Sequence, residues 1–160
     1  MSKILTDSQI YELFGIPGVD KYDDKKRFKT PFPLYLAWNK NIWIDSFFVH
    51  EKIYEATALA FSNIMDCYSD EWISELNINE FGGCYNYRTM RGSSKKLSRH
   101  SWAIAIDLLS TKNLLSWKKD KASFANSDYD NLMYAFYDAG FINYGKEKGY
   151  DFMHFEIYKP

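Results

Sequence analysis

Apolar residues recur at intervals of three and four over residues 50–68, the clearest helical pattern in the chain. The members of this stripe are Ile53, Ala56, Ala60, Ile64 and Cys67. Residues three and four apart share one helix face, so the spacing predicts the main helix here. Similar spacing predicts a helix over residues 128–139 that ends at Gly140. Capping residues at 6–9 predict a short first helix that runs to Phe14.

Short apolar or alternating runs predict extended segments bounded by glycine, proline or asparagine. These segments cover residues 34–38, 42–44, 84–90, 103–106, 141–144 and 153–158. Loops or turns are expected at residues 19–30, 39–41, 81–83, 92–96, 111–126 and 145–149. This order favours an α+β fold, in which helices pack on one side of a small, mostly antiparallel sheet and the open face carries a site.

Length and composition narrow the class of protein. The chain has 160 residues, of which 46% are hydrophobic, and a net charge of −1. We expect one domain over residues 1–160, with residues 1–30 as a helix-and-loop extension. The balanced charge gives no reason to expect a nucleic-acid partner. No apolar run reaches the roughly 18 residues of a membrane span, and the first residues lack the apolar core of a secretory signal. We therefore expect a cytoplasmic protein with reduced cysteines, and we take it to be a monomer.

The candidate chemistry lies in two separated stretches, residues 97–108 and 151–156, which contain two of the three histidines. His100 precedes Asp107 by seven positions, an odd separation that places the two on opposite faces of a regular strand. His100 is therefore expected on a loop that enters the strand. In the second stretch His154 shares a face with Glu156, and Asp151 is expected where the loop meets the strand. Two imidazoles and one carboxylate, with water as a fourth ligand, make a catalytic zinc site.

These two stretches resemble a known family of peptidoglycan peptidases. The resemblance lies in the pattern S-x-H-x-x-x-x-A-x-D, followed about 45 residues later by D-x-M-H-F-E. The matching residues are Ser98, His100, Ala105, Asp107, Asp151, Met153, His154, Phe155 and Glu156. The pattern is similar to that of the zinc D-Ala-D-Ala carboxypeptidases and L-alanyl-D-glutamate endopeptidases, which include bacteriophage endolysins. The family shares its fold with the Hedgehog signalling domain, and the resemblance covers roughly residues 30–160.

The resemblance implies a role for each matching position. The zinc ligands would be His100, Asp107 and His154. Asp151 would act as general base, three residues before the last ligand. Arg88 would steady the substrate carbonyl, in preference to the nearby Arg91.

Three further residues have expected supporting roles, and a fourth departs from the family pattern. Ser98 and Trp102 would shape the pocket. Glu156 would orient an imidazole, hold the site by hydrogen bonding, or serve only as a surface ion-pair partner. The family usually has glycine where this chain has Ala103. An added methyl group there can displace the turn or narrow the pocket, and we expect this departure to be tolerated.

The resemblance implies hydrolysis of a peptide bond in the peptidoglycan stem peptide, with one zinc ion as cofactor. We expect an endolysin-type L-alanyl-D-glutamate endopeptidase of a phage or prophage. It would wait in the cytoplasm for release or be carried by a virion. One alternative is a D-Ala-D-Ala carboxypeptidase or dipeptidase. Another is an inactive zinc-containing domain that binds the cell wall or serves in a virion.

Overall fold

A computed structural model describes residues 3–160, which form an α+β fold. The helices are α1 (Asp7–Phe14), α2 (Tyr54–Cys67), α3 (Asp70–Glu75), α4 (Asp130–Asp138) and α5 (Tyr144–Lys148). The strands are β1 (Lys25–Leu36), β2 (Asn39–His50), β3 (Glu80–Gly83), β4 (Ala105–Leu108), β5 (Phe141–Asn143) and β6 (His154–Ile157). The helices predicted over residues 7–14, 50–68 and 128–139 are confirmed as α1, α2 and α4 with shifted ends.

The six strands form one sheet in the order β2-β1-β3-β4-β6-β5. Strands β1 and β3 pair in parallel, and the other neighbours pair antiparallel. The mostly antiparallel sheet is therefore confirmed. Because β4 and β6 are neighbours, the two separated sequence stretches lie side by side.

Helices α2 and α4 pack against each other, and they cover the sheet at β1 and β5. Aromatic rings fill this interface: Phe61 of α2 contacts Phe28 and Phe47 from the long hairpin. Phe136 of α4 stacks on Phe155 of β6, with ring centroids 4.0 Å apart. Successive side chains alternate across a strand, so Phe155 packs on α4 while the polar residues His154 and Glu156 lie on the opposite face of β6. Over residues 3–160, no helix has the length and apolar character needed to cross a membrane.

The loop expected at residues 19–30 is wrong in its second half, because β1 begins at Lys25 and runs for 12 residues. Charged residues on its exposed face hid the alternation with buried Phe28. Pro31 and Pro33 are tolerated because β3 pairs with β1 only at Tyr35 and Leu36, which leaves the earlier edge free. The turn expected at residues 39–41 lies at residues 37–38.

Four other expectations about local structure are corrected. Residues 81–83 belong to strand β3, and residues 84–90 are irregular apart from one bridge between Thr89 and Leu97. The loop expected at residues 145–149 is mostly helix α5. Strand β4 starts two residues later than expected because Ala103 has a left-handed backbone. The irregular stretch predicted at residues 111–126 is confirmed, with short 3₁₀ turns.

Candidate metal centre

Strands β4 and β6 place Asp107 directly opposite His154 in the antiparallel register. Opposite residues of such a pair point to the same face of the sheet. The Nδ1 atom of His154 lies 3.2 Å from Oδ1 of Asp107. The pairing of two central strands, and not a loop, therefore fixes two of the three predicted ligands.

His100 reaches the same point from a 3₁₀ turn, Arg99–Trp102, that enters β4. Ser98 caps this turn, since its hydroxyl accepts a hydrogen bond from the His100 backbone N–H. Nε2 of His100 lies 3.1 Å from Oδ2 of Asp107. His100 thus lies on the segment before the strand, in the position that the odd spacing requires.

Ala103 closes this turn in the left-handed region, at φ 59° and ψ 40°. Glycine adopts this region without steric cost, which accounts for glycine in the resembling family. The alanine still donates its backbone N–H to the His100 carbonyl at 3.0 Å. Its methyl group belongs to the apolar core. The alanine therefore neither prevents His100 from reaching Asp107 nor stands among the residues that line the cavities described below.

The three side chains fit a zinc ion. One ligand atom from each of His100, Asp107 and His154 lies within 4.8 Å of the other two. Ligand atoms bound tetrahedrally at about 2.0–2.2 Å from zinc stand roughly 3.4 Å apart. This is close to the 3.1 and 3.2 Å that separate His100 and His154 from the two carboxylate oxygens of Asp107. The second nitrogen of each imidazole is also held, His100 Nδ1 by the Cys84 carbonyl at 2.8 Å and His154 Nε2 by Glu156 at 3.0 Å. Metal-binding histidines typically have such outer partners.

The charges in the cluster are strongly coupled. Burial alone would raise the pKa of the Asp107 carboxyl, but the two adjacent imidazoles outweigh it and hold the pKa well below its usual value. Burial alone would lower the pKa of His154, yet hydrogen bonds to the carboxylates of Asp107 and Glu156 raise it above 6.5. The cluster without metal therefore holds a proton on His154 that a bound cation would replace.

A buried network supports His154 from behind. Oε1 of Glu156 accepts a hydrogen bond from the Tyr144 hydroxyl at 2.7 Å as well as from His154. The Tyr144 ring also packs on the His154 ring, with centroids 4.2 Å apart. Burial would raise the pKa of Glu156, but the His154 hydrogen bond and charge, with the Arg99 charge, hold it below its usual value. Glu156 is fully buried, so the surface ion-pair alternative for this residue is wrong.

Arg99 completes the network and joins it to the start of the chain. Its guanidinium donates to the Asp7 carboxylate at 2.7 Å and to the Leu5 carbonyl at 2.8 Å. Within residues 3–160, neither Arg99 Nε nor Glu156 Oε2 has a hydrogen-bond partner, but these two atoms lie 3.6 Å apart as an ion pair. Sequence reasoning missed both Arg99 and Tyr144. The position of Arg99 directly before the first ligand was the available signal.

A cavity of about 650 Å³ opens on one side of the cluster. It reaches His100, Asp107 and His154 and is bordered by Asp151. Asp151 stands at the loop–strand junction with a left-handed φ of 62°. Burial raises the pKa of the Asp151 carboxyl, aided by the Asp107 charge and opposed by the His154 imidazole. A carboxyl of this kind suits proton transfer near neutral pH.

Of the remaining predicted site residues, three line the first cavity and one does not. Arg88, Arg91 and Ser98 also line this first cavity, and Arg88 is less exposed than Arg91. Trp102 is not among the described residues that line either cavity. Its indole N–H instead donates to the Gly15 carbonyl at 2.8 Å, so Trp102 fastens the end of α1.

A second cavity, of about 400 Å³, meets the cluster from another direction. The residues that line both cavities are Arg88, His100 and Asp107. The second cavity continues along β3, past Gly82 and Gly83. The candidate metal centre therefore lies where two recesses meet.

Comparison with known proteins supports the relationship indicated by the motifs. Residues 91–157 match the family model described as D-alanyl-D-alanine carboxypeptidase. No curated protein and no solved structure matches this chain. The matched region contains all three metal-ligand candidates and Asp151, while Arg88 and everything before it lie outside. The match supports, at the level of the family, a zinc-type peptidase that acts on peptidoglycan.

Proposed function

We propose that this protein is a zinc-dependent endopeptidase that cleaves the stem peptide of peptidoglycan, of the L-alanyl-D-glutamate endolysin type found in phages and prophages. The observation that carries the proposal is the cluster of His100, Asp107 and His154 with Asp151 beside it. The family match covers these four residues and supports a peptidase acting on this polymer.

The residues around the cluster divide the work of hydrolysis. Zinc bound by the three ligands would lower the pKa of water from about 16 toward 7 and polarise the scissile carbonyl. Asp151 takes the proton from the attacking water and passes it to the leaving amine. Arg88, which borders both cavities, donates to the carbonyl oxygen as negative charge develops there. Glu156 keeps the His154 imidazole oriented during the reaction.

The two recesses favour internal cleavage over removal of a terminal residue. A peptide bond held at the cluster has space for substrate on both sides, in cavities of about 650 and 400 Å³. A carboxypeptidase needs one side closed around the chain terminus. The description of the matching family keeps D-Ala-D-Ala cleavage as the second candidate.

The alternative of an inactive zinc-containing domain depended on Ala103. Ala103 retains the turn that carries His100, so the alanine gives no structural reason for inactivity. We further propose that the protein reaches the wall after release from the cytoplasm or as part of a virion.

Digestion of purified peptidoglycan, followed by mass spectrometry of the products, tests the proposed function. We expect stem peptides released with a new N-terminal glutamate, and release of free D-alanine would instead indicate the carboxypeptidase. The matched control is Asp151→Ala, which should keep its zinc and lose turnover by about 10²–10⁴-fold. Full activity of Asp151→Ala would refute the assignment of the base. Zinc binding without any cleavage by the wild type would favour the inactive wall-binding domain.

A further inference from the structure

The tip of the β1–β2 hairpin exposes a cluster of large apolar side chains. Trp38 is 66% exposed, Trp43 is 56% exposed and Ile42 is 45% exposed. Single exposed apolar residues are ordinary, but three within six positions of one hairpin, two of them tryptophans, are an unusual concentration of exposed apolar surface. We define the hairpin tip as residues 37–43.

The hairpin tip is held in place rather than free. The backbone N–H of Ala37 donates to the Phe81 carbonyl of β3 at 2.9 Å. The Trp43 ring packs edge-on against Tyr35, with centroids 5.4 Å apart. The Tyr35 hydroxyl in turn bonds to Asn77 at 3.1 Å. The exposed indoles therefore sit on a fixed base, which lowers the entropic cost of binding.

The hairpin tip is continuous with the candidate metal centre. Trp38 lines the second cavity, which runs beside Gly82 and Gly83 to His100 and Asp107. The two glycines leave the wall of this cavity without side chains. A ligand lying on Trp38 would thus extend directly to the bond held at the cluster.

The two cavities differ in charge. Apart from the metal ligands, the charged residues that line the first cavity are mostly basic: Arg88, Arg91, Lys96, Arg99 and Lys148, against Asp7 and Asp151. Asp7 is paired with Arg99 and Lys96, which leaves an excess of positive charge in this cavity. Outside the metal ligands and Arg88, the residues lining the second cavity are neutral: Trp38, Gly82, Gly83, Tyr85 and Asn86. The nearest cation of the hairpin tip, Lys40, lies 3.8 Å from the buried Glu80 carboxylate. The first cavity therefore suits a ligand with carboxylates, and the second suits a neutral polar ligand with an apolar face.

We propose that Trp38 and the second cavity bind an N-acetylhexosamine of the glycan strand, next to the stem peptide that is cut. This inference rests on the proposed function and extends it to the sugar. A pyranose ring presents C–H faces that stack on an indole, and its hydroxyls and acetamido group bond to amides such as that of Asn86. The acidic part of the stem then lies in the first cavity.

The proposed sugar site agrees with the proposed cleavage of the stem-peptide bond nearest the glycan. The L-alanyl-D-glutamate bond is one residue from the sugar, and an extended residue spans about 3.3–3.6 Å. A D-alanyl-D-alanine bond is four residues away, roughly 14 Å when extended. A sugar held in a cavity that begins at the cluster favours the shorter distance.

Two substrates test the inference: a free stem peptide and the same peptide attached to its disaccharide. The quantity measured is the ratio of kcat/KM for the glycan-linked peptide to that for the free peptide. We expect Trp38→Ala to lower this ratio at least about fivefold, as loss of a central aromatic contact does. The matched control is Trp72→Ala, a tryptophan 53% exposed on α3 that lines neither cavity, which should leave both rates unchanged.

A binding measurement separates this inference from the proposed function. Calorimetric titration with a β-1,4-linked N-acetylglucosamine tetramer should detect binding that Trp38→Ala weakens and Trp72→Ala does not. Cleavage of both peptides at an unchanged ratio in Trp38→Ala would overturn the inference and leave the endopeptidase standing. Tetramer binding that depends on Trp38, without cleavage of either peptide, would support the glycan site and refute the endopeptidase. No tetramer binding by the wild type would overturn the glycan site.

Discussion

Nε2 of His154 lies 3.0 Å from Oε1 of Glu156, so a fully buried carboxylate holds the imidazole whose other nitrogen faces Asp107. Neutralising that carboxylate tests how much of the metal site is built by this outer contact. We expect Glu156→Gln to weaken zinc binding about 10–100-fold, because the imidazole becomes less basic and less firmly oriented. Competition with a chromogenic chelator measures the change.

The matched control for this variant is Glu71→Gln, an exposed glutamate on α3. Its zinc affinity should equal that of the wild type. Unchanged zinc affinity in Glu156→Gln would show that Tyr144 and the strand pairing alone orient His154.

Zinc binding should depend on pH through His154. Because the neighbouring carboxylates raise the pKa of His154, the metal-free imidazole is protonated at neutral pH and the ion must displace a proton. We expect the zinc affinity to rise as pH increases from about 6 to 8, by up to tenfold per unit. Chelator competition at several pH values measures it, and an affinity independent of pH would contradict the coupling.

The same group affects the stability of the metal-free protein in the opposite direction. A raised folded-state pKa means that the His154 proton stabilises the fold fully below the usual value of 6.5. This contribution is lost as pH rises through the raised pKa. Thermal melting of the chelator-treated protein across this range should therefore show a declining contribution that Glu156→Gln reduces.

Gly82 lies against the metal-ligand candidate Asp107, so a substitution at Gly82 also tests the metal site. A methyl group there would lie 2.9 Å from Cβ of Asp107 and 2.9 Å from Oγ of Ser110. Since this is closer than atoms pack, a neighbour must move, and two of the three closest atoms belong to Asp107. We therefore expect zinc affinity to fall at least tenfold, with a stability loss of about 1–3 kcal/mol. Gly18→Ala is the control, because its methyl would meet only the Lys21 side chain at 3.6 Å. Normal zinc binding by Gly82→Ala would contradict this prediction and show that Ser110, not Asp107, moves away from the methyl group.

Two substitutions of Ala103 test its left-handed backbone conformation. In Ala103→Gly, relief of about 1–2 kcal/mol of backbone strain is offset by loss of a buried methyl worth about 0.8 kcal/mol. We therefore expect nearly unchanged stability and retained activity. Ala103→Val should lose more than about 2 kcal/mol, because a branched side chain is least tolerated at positive φ. Denaturant unfolding measures both, and a stable valine variant would contradict the backbone conformation.

Secondary-structure elements could be predicted from the sequence where one physical signal dominated. The apolar stripe at residues 50–68 predicted α2, and the spacing of His100 and Asp107 required a turn before β4. The first part of strand β1 could not be predicted, because charged residues on its exposed face interrupt the alternation of apolar and polar residues over 25–33. The pairing of β1 with β2 is also irregular beside the two prolines, which obscures the strand pattern further.

The parts of the site that escaped prediction are contacts without a side-chain signature or across long sequence distances. The Cys84 carbonyl that holds His100 is a backbone group, which any residue type supplies. The ion pair of Arg99 with Glu156 joins residues that only the sheet register brings together. In the sequence Tyr144 resembles an ordinary core tyrosine, and only the structure shows that its hydroxyl donates a hydrogen bond to Glu156.

The tether between Arg99 and the segment of Leu5 and Asp7 has a practical consequence for handling this protein. Residues 4–7 form part of the rim of the first cavity, and the guanidinium that fastens them sits one position before a metal ligand. An affinity tag or fusion partner joined upstream of this segment would crowd the route by which a wall polymer enters. The exposed Pro160, which borders neither recess, is the better point of attachment.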